Sequence, residues 1–105
     1  MMVLTAEQLA LVQKILSEHL PQDRVLAFGS RVTGKAKPNS DLDLAVDSDR
    51  SISLSVMGDL RDALSDSDLP FRVDVVDLKK ISESFRKIVL QKYEVIQETL
   101  KIVTG

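Results

Sequence analysis

The sequence contains no cysteine, so disulfide bonds, thiolate metal sites and cysteine nucleophiles are all excluded. It has no tryptophan and only 4% aromatic residues, so its core must be built from valine, isoleucine and leucine. The single histidine, His19, lies near the end of a predicted helix, where a capping role is favoured over catalysis. No apolar run reaches membrane-spanning length, and the N-terminus lacks the basic and apolar regions of a signal peptide. We therefore expect a cytoplasmic protein with no membrane partner.

The remaining composition is that of one small globular domain. The chain of 105 residues is 44% hydrophobic and 29% charged, so we expect residues 1–105 to form a single domain around one core. Its formal net charge of -2 argues against broad nucleic-acid binding. We accordingly expect no direct nucleic-acid partner.

Hydrophobic periodicity predicts an alternation of helices and strands. Thr5 and Gln8 form a capping-box pattern at the start of the first helix, and Ser82 is the predicted cap of the last one. Helices are predicted at about 5–19, at about 52–65 and from Ser82 through Leu100, with strands at 24–28, 41–46 and 71–78. With a short helix after Gly29, the order is α-β-(α)-β-α-β-α. This order predicts an α+β or α/β domain in which helices flank a small sheet.

Residues 29–36, GSRVTGKA, come close to a phosphate-binding P-loop. Gly29, Gly34 and Lys35 fit the pattern G-x-x-x-x-G-K after a predicted strand. The position that must present a hydroxyl group to magnesium is Ala36, which has none. Pro38 also disfavours the helix that should follow a P-loop directly. The sequence therefore argues against a P-loop.

Two aspartates lie two positions apart in the second predicted strand. Asp41 and Asp43 project to the same face of that strand, and they repel each other unless a cation lies between them or one is protonated. Such an oxygen pair suits magnesium, which binds through a few carboxylates together with substrate phosphates. Asp74 has a similar place in the third strand, so neighbouring strands would bring three carboxylates together, enough to hold two magnesium ions. Alternatively, the aspartates are simply the solvent face of an edge strand.

The preceding turn offers groups that can receive phosphates. Gly29 lets the backbone approach a phosphate closely, and Ser30 adds a hydroxyl group and an amide donor. Arg31, Lys35 and Lys37 supply positive charge nearby. Taken alone, these residues would be a solvated loop.

Turn and carboxylates together resemble the signature of the DNA polymerase beta-like nucleotidyltransferase superfamily. They are most similar to its smallest members, the minimal nucleotidyltransferases of MNT–HEPN toxin–antitoxin pairs. The match covers nearly the whole chain in length and element order, and it is carried by Gly29, Ser30, Arg31, Gly34, Ser40, Asp41, Asp43 and Asp74.

This resemblance implies a fold and a set of residue roles. The fold would be an α+β nucleotidyltransferase fold of α/β type, with a small mixed sheet. Asp41, Asp43 and Asp74 would be catalytic and would hold magnesium, with Asp74 helping to deprotonate the attacking hydroxyl group. The predicted nucleotide-binding residues are Gly29, Ser30, Arg31 and Ser40. Asp77 is left out because it lies on the opposite face of its strand from Asp74.

The resemblance also implies a function and a partner. The protein would be an antitoxin that transfers AMP from ATP to a tyrosine hydroxyl group of a HEPN RNase toxin, with two magnesium ions during turnover. One departure is Thr33, which stands where many minimal members have an arginine that could contact a phosphate; whether Arg31 or Lys35 replaces that contact stays open. Two alternatives stay open: a noncatalytic subunit that neutralises its partner by binding alone, and a transferase acting on a small molecule. Homo- and hetero-oligomers are both open as well.

Overall fold

The computed structural model describes residues 4–37 and 39–99, and these residues form four helices and four strands. In chain order the elements are α1 (Ala6–His19), β1 (Arg24–Phe28), α2 (Ser30–Thr33), β2 (Leu42–Asp47), α3 (Leu54–Ser65), β3 (Val73–Asp77), α4 (Glu83–Gln91) and β4 (Glu94–Gln97). The predicted elements up to β3 are confirmed, with ends that differ by up to two residues. Within the described ranges, no helix is both long and apolar enough to cross a membrane.

Side-chain caps explain where α1, α3 and α4 begin, and those of α1 and α4 were predicted. Thr5 and Gln8 form a reciprocal capping box, since the backbone N–H of each donates to the side-chain oxygen of the other, at 3.0 and 3.1 Å. Ser53 accepts from the N–H of the third residue of α3, and Ser82 does the same for α4. Each cap satisfies an amide that has no partner inside its own helix.

The strands form one mixed sheet in the order β3-β2-β1-β4. β1 pairs antiparallel with β2 and with β4, whereas β2 and β3 are parallel. A parallel pair requires a crossover connection, and α3 lies in that connection. β2 and β3 are therefore neighbours, as the predicted meeting of their carboxylates requires.

Helices cover the two faces of the sheet unequally. α1 and α3 pack on one face, where the buried side chains Leu16, Leu44 and Leu60 belong to a single core cluster. On the other face, Val89 of α4 packs in a smaller cluster with Leu26 and other residues. An open cleft lies along β3, lined by Phe28 and Phe85 from the α4 side of the sheet and by Arg61 and Asp62 of α3, and the candidate site lies in this cleft.

The prediction of one long C-terminal helix is wrong. α4 ends at Gln91, and the chain then forms β4 on the outer edge of β1. Ile96 was assigned to the helix because it follows Val89 by seven residues, a helical spacing. In the structure its burial comes from the sheet core instead. Leu100, the predicted end of the helix, lies outside the described residues.

Candidate active site

Asp43 and Asp74 occupy opposite positions on the parallel strands β2 and β3. Neighbouring strands lie about 4.8 Å apart, and residues in register project to the same face of the sheet. Asp41 lies immediately before β2, two residues from Asp43. The structure thus brings together the three carboxylates that the sequence singled out, with Asp43 half-buried and Asp74 exposed.

This arrangement concentrates negative charge at one end of the sheet. Burial, followed by the charges of Asp74 and Asp41, raises the pKa of Asp43 above its ordinary value of 3.8. Within residues 4–37 and 39–99, no ion pair joins any of the three carboxylates to a lysine or arginine. The ionised carboxylates therefore favour a bound cation.

Gly29 is in direct contact with Asp43. Its backbone has φ 80° and ψ -159°, a conformation that residues with a side chain rarely adopt. A Cβ atom at this position would overlap Oδ2 of Asp43. Glycine is required here both for its backbone conformation and for the space that the carboxylate fills. The predicted phosphate turn and the predicted metal ligand therefore form one site.

Ser30 and Ser40 help to shape the two loops of the site. The carbonyl of Ser30 accepts from the N–H of Lys35 at 3.1 Å, just after Gly34 ends α2 with φ 82°. Ser40 accepts from the N–H of Lys37 through its hydroxyl group at 2.8 Å and donates its own N–H to the Lys37 carbonyl at 3.0 Å. Their predicted contacts with a nucleotide stay predictions.

Arg31 points into the protein, with only 3% of its surface exposed. Its Nε–H donates to the carbonyl of Ser40 at 3.0 Å, and its Cζ atom lies 4.0 Å from the centroid of the Phe71 ring. A nucleotide contact for Arg31 stays a prediction. The Arg31 side chain connects the Ser40 backbone with the Phe71 ring.

An open cleft of about 970 Å³ lies beside these residues. Its volume is near the upper end of the roughly 300–1,000 Å³ typical of small-molecule sites. All three phenylalanines of the chain line it, as do Asp43 and Asp74. Sequence reasoning missed Phe71 and also Arg61, whose Nη2 donates to the Val75 carbonyl at 2.8 Å in the same cleft. The scarcity of aromatic residues was the one signal that could have drawn attention to the phenylalanines.

Asp77 has a structural role on the opposite face of β3. It is buried, with 4% of its surface exposed, and its carboxylate accepts from the N–H groups of Ile52 and Lys79, both at 2.9 Å. These bonds hold the start of the segment leading into α3 and the turn after β3. This placement agrees with leaving Asp77 out of the predicted site.

The donor set suits a cation that is shared with a substrate. No group of three acidic or histidine side chains in the described part of the chain forms a ready cage for one metal ion. Magnesium is usually bound by one or two carboxylates, with water and substrate phosphates completing its shell. Asp43 with its acidic neighbours, beside the glycine turn, fits that second kind of site.

A family model described as polymerase beta, nucleotidyltransferase matches residues 11–101. The chain belongs to this family. A probable protein adenylyltransferase MntA from Haemophilus influenzae is 49% identical to this nucleotidyltransferase over 98 residues, which are 93% of this chain and 86% of that protein. The resemblance and the α+β nucleotidyltransferase fold inferred from the sequence are thereby confirmed.

Solved structures support the same assignment. A toxin–antitoxin crystal structure with AMP-PNP matches 87% of this nucleotidyltransferase and 73% of the other chain, with a TM-score of 0.73 and 27% identity. The crystal structure of a mutant toxin–antitoxin MntA–HpeT also matches 87% of this nucleotidyltransferase and 73% of the other chain, with a TM-score of 0.72 and 25% identity.

Proposed function

We propose that this nucleotidyltransferase is a magnesium-dependent antitoxin that transfers AMP from ATP to a tyrosine hydroxyl group of a partner HEPN RNase toxin. The observation that carries the proposal is the register of Asp43 with Asp74, beside a glycine that touches Asp43. Identity of 49% with a probable protein adenylyltransferase supports a protein as the acceptor. The related toxin–antitoxin structure with AMP-PNP supports an adenine nucleotide and a toxin partner.

The nucleotide would lie across the turn and the carboxylates. Gly29 and Ser30 would receive the triphosphate, since the backbone approaches closely where there is no side chain. Asp41, Asp43 and Asp74 would hold magnesium, up to two ions during turnover, which would neutralise phosphate charge and orient the reacting groups. The open cleft of about 970 Å³ is large enough for the rest of the nucleotide.

Asp74 would take the proton in the chemical step. Its side chain is exposed in the cleft, so the hydroxyl group of an acceptor can reach it. As the proton passes to Asp74, the tyrosine oxygen forms a bond to the α-phosphorus of ATP. The bond between that phosphorus and the oxygen bridging to the β-phosphate breaks, and pyrophosphate leaves. Asp43, held between Gly29 and Asp74, would keep the metal and the phosphate turn in a fixed relation.

The acceptor would come from the partner protein. Asp74 lies on β3, which is an edge strand of the sheet that the described residues form, so the cleft is open toward that edge. The family match over residues 11–101 supports a single minimal domain. We place the reaction in the cytoplasm, where ATP and a toxin acting on RNA are both found.

The test is to incubate the protein with ATP, magnesium and the HEPN partner, and to look for an AMP adduct on a tyrosine by mass spectrometry. Asp43→Asn and Asp74→Asn should each abolish the adduct. Asp62→Asn is the matched control, because Asp62 is an exposed carboxylate that lines the same cleft from α3. It should leave the adduct unchanged.

Three outcomes would count against this proposal. If Asp43→Asn still modified the toxin, the assignment of the metal-binding carboxylates would be wrong. If the wild-type protein bound and silenced the toxin without forming an adduct, the noncatalytic alternative would replace the proposal. A free nucleotide-modified small molecule in place of the adduct would favour the alternative of a transferase that acts on a small molecule.

A further inference from the structure

We propose that Arg31 is a positioning residue that ties three segments of the site together, in place of a direct ligand of the nucleotide. Its effect on catalysis rests on the proposed function, whereas its effect on the loops does not.

The contacts of Arg31 reach two segments that are far apart in the sequence. The residue lies in α2, directly after Ser30 of the phosphate turn. Its Nε–H donates to the carbonyl of Ser40 at 3.0 Å, and Ser40 immediately precedes Asp41. Its guanidinium group stacks on Phe71, with Cζ 4.0 Å from the ring centroid, three residues before Asp74. The Arg31 side chain therefore links three segments: the phosphate turn, the residues just before Asp41 and the residues just before Asp74.

The segments around Ser40 and Phe71 are each held by hydrogen bonds of their own. A displacement of one segment is therefore transmitted through Arg31 to the other. Ser40 is bonded to Lys37 through two hydrogen bonds, at 2.8 and 3.0 Å. The N–H of Leu42 donates to the carbonyl of Arg72 at 2.9 Å, which joins the start of β2 to the residue after Phe71. A shift of Ser40 relative to α2 would therefore move the start of β2, where Asp41 and Asp43 lie.

Only arginine satisfies both contacts at once. A planar guanidinium group can stack its face on an aromatic ring while its edge donates a hydrogen bond. A lysine ammonium group is a compact charge with no such face, so Arg31→Lys keeps the charge and loses the geometry. The side chain is also 3% exposed, so the charge is held away from bulk water.

The first test is amide hydrogen exchange of the protein without nucleotide. In Arg31→Lys, the N–H groups of Lys37 and Ser40 should exchange about tenfold faster or more, because the donor that anchors their turn is lost. Phe71→Leu, which removes the ring and leaves the arginine in place, should speed the same two amides. Arg72→Lys is the matched control, since Arg72 is an exposed arginine in the same cleft, and it should leave them unchanged. Unchanged protection in Arg31→Lys or in Phe71→Leu would overturn the proposal.

The second test is a double-mutant cycle on the affinity for AMP-PNP with magnesium and on kcat/KM for AMP transfer. If Arg31 acts through Phe71, the double variant Arg31→Lys/Phe71→Leu should be about as impaired as the more severe single variant. A direct nucleotide ligand would instead give effects that multiply, and this result would refute the positioning role. If exchange behaves as expected and wild type transfers no AMP, the positioning role stands and the proposed function fails.

Discussion

A methyl group at position 29 tests how tightly the phosphate turn packs against the carboxylates. In Gly29→Ala the new Cβ atom would overlap Oδ2 of Asp43, at a backbone φ of 80° and ψ of -159°. Two other glycines serve as matched controls. Gly34 also has a positive φ, of 82°, and Gly58 lies within α3. Apart from its chain neighbours and the backbone of its own helix, a Cβ atom at either glycine would meet no heavy atom of the described residues within 4 Å.

These three sites separate backbone strain from steric overlap. Gly58→Ala should stabilise the protein by about 0.4–1 kcal/mol, because it lowers the conformational entropy of the unfolded chain. Gly34→Ala should cost about 1–2 kcal/mol for its left-handed backbone alone. Gly29→Ala should cost about 1–3 kcal/mol for a backbone region that is almost confined to glycine. Displacing the Asp43 carboxylate adds to that cost, so the three variants should rank in this order.

The assays are thermal unfolding and AMP transfer to the proposed partner toxin. For a domain of this size, about 1 kcal/mol shifts the Tm by 4–8 °C. Gly58→Ala should therefore raise the Tm by a few degrees with unchanged transfer, and Gly34→Ala should lower it. Gly29→Ala should lower the Tm further and reduce kcat/KM about 100-fold, the order of loss expected when a catalytic group is displaced by about 1 Å. If Gly29→Ala were no less stable than Gly34→Ala and still transferred AMP at the wild-type rate, the close packing of Gly29 on Asp43 would be refuted.

Three further predictions concern the neighbouring side chains. Asp77→Ala should destabilise the fold by about 2–4 kcal/mol in denaturant titrations, because the buried N–H of Ile52 and the part-buried N–H of Lys79 lose a charged acceptor. Asp74→Asn should instead keep the stability and abolish transfer, and the reverse pattern would exchange the two assigned roles. Because burial and its acidic neighbours raise the pKa of Asp43, its ionised form destabilises the protein, so Asp43→Asn should raise the Tm at neutral pH. That advantage should shrink as the pH falls through the raised pKa toward 3.8, and a gain independent of pH in thermal melts would contradict the assigned cause. Thr33→Arg should lower the KM for ATP severalfold in steady-state assays by adding a phosphate contact, since the position is exposed, and an unchanged KM would show that the departure from the family pattern is neutral.

The one misassigned element shows where local patterns stop being informative. The segment after Gln91 contains Val95 and Ile96, which suit either a strand or the continued apolar stripe of α4. No glycine or proline marks the end of that helix. What decides between the two is the unpaired edge of β1, to which β4 supplies backbone hydrogen bonds. Gln97 then secures β4 by donating to the carbonyls of Leu20 and Asp23.

Arg31 shows the same division within the candidate site. As a cation next to Ser30, Arg31 is predicted to contact the nucleotide, and this contact stays a prediction; the burial of its side chain is what the motif did not contain. The orientation of the Arg31 side chain depends on its stacking on the Phe71 ring. Phe71 lies 40 residues away in the chain, so no local sequence pattern connects it with the turn. The sequence predicted which residues would form the candidate site, but it did not predict the contacts that hold Arg31.

By itself, the sequence determined the features that depend on near neighbours: the capping residues of α1 and α4, the alternation that turns Asp41 and Asp43 to one face, and a glycine before Ser30. The tertiary structure alone decided the register of Asp43 with Asp74, the contact of Gly29 with Asp43, the burial of Arg31 and the pairing of β4 with β1. The physical reason is the range of the interactions involved. Caps and alternation follow from the geometry of a few consecutive residues, whereas strand register and side-chain burial depend on contacts that form only when distant segments pack together.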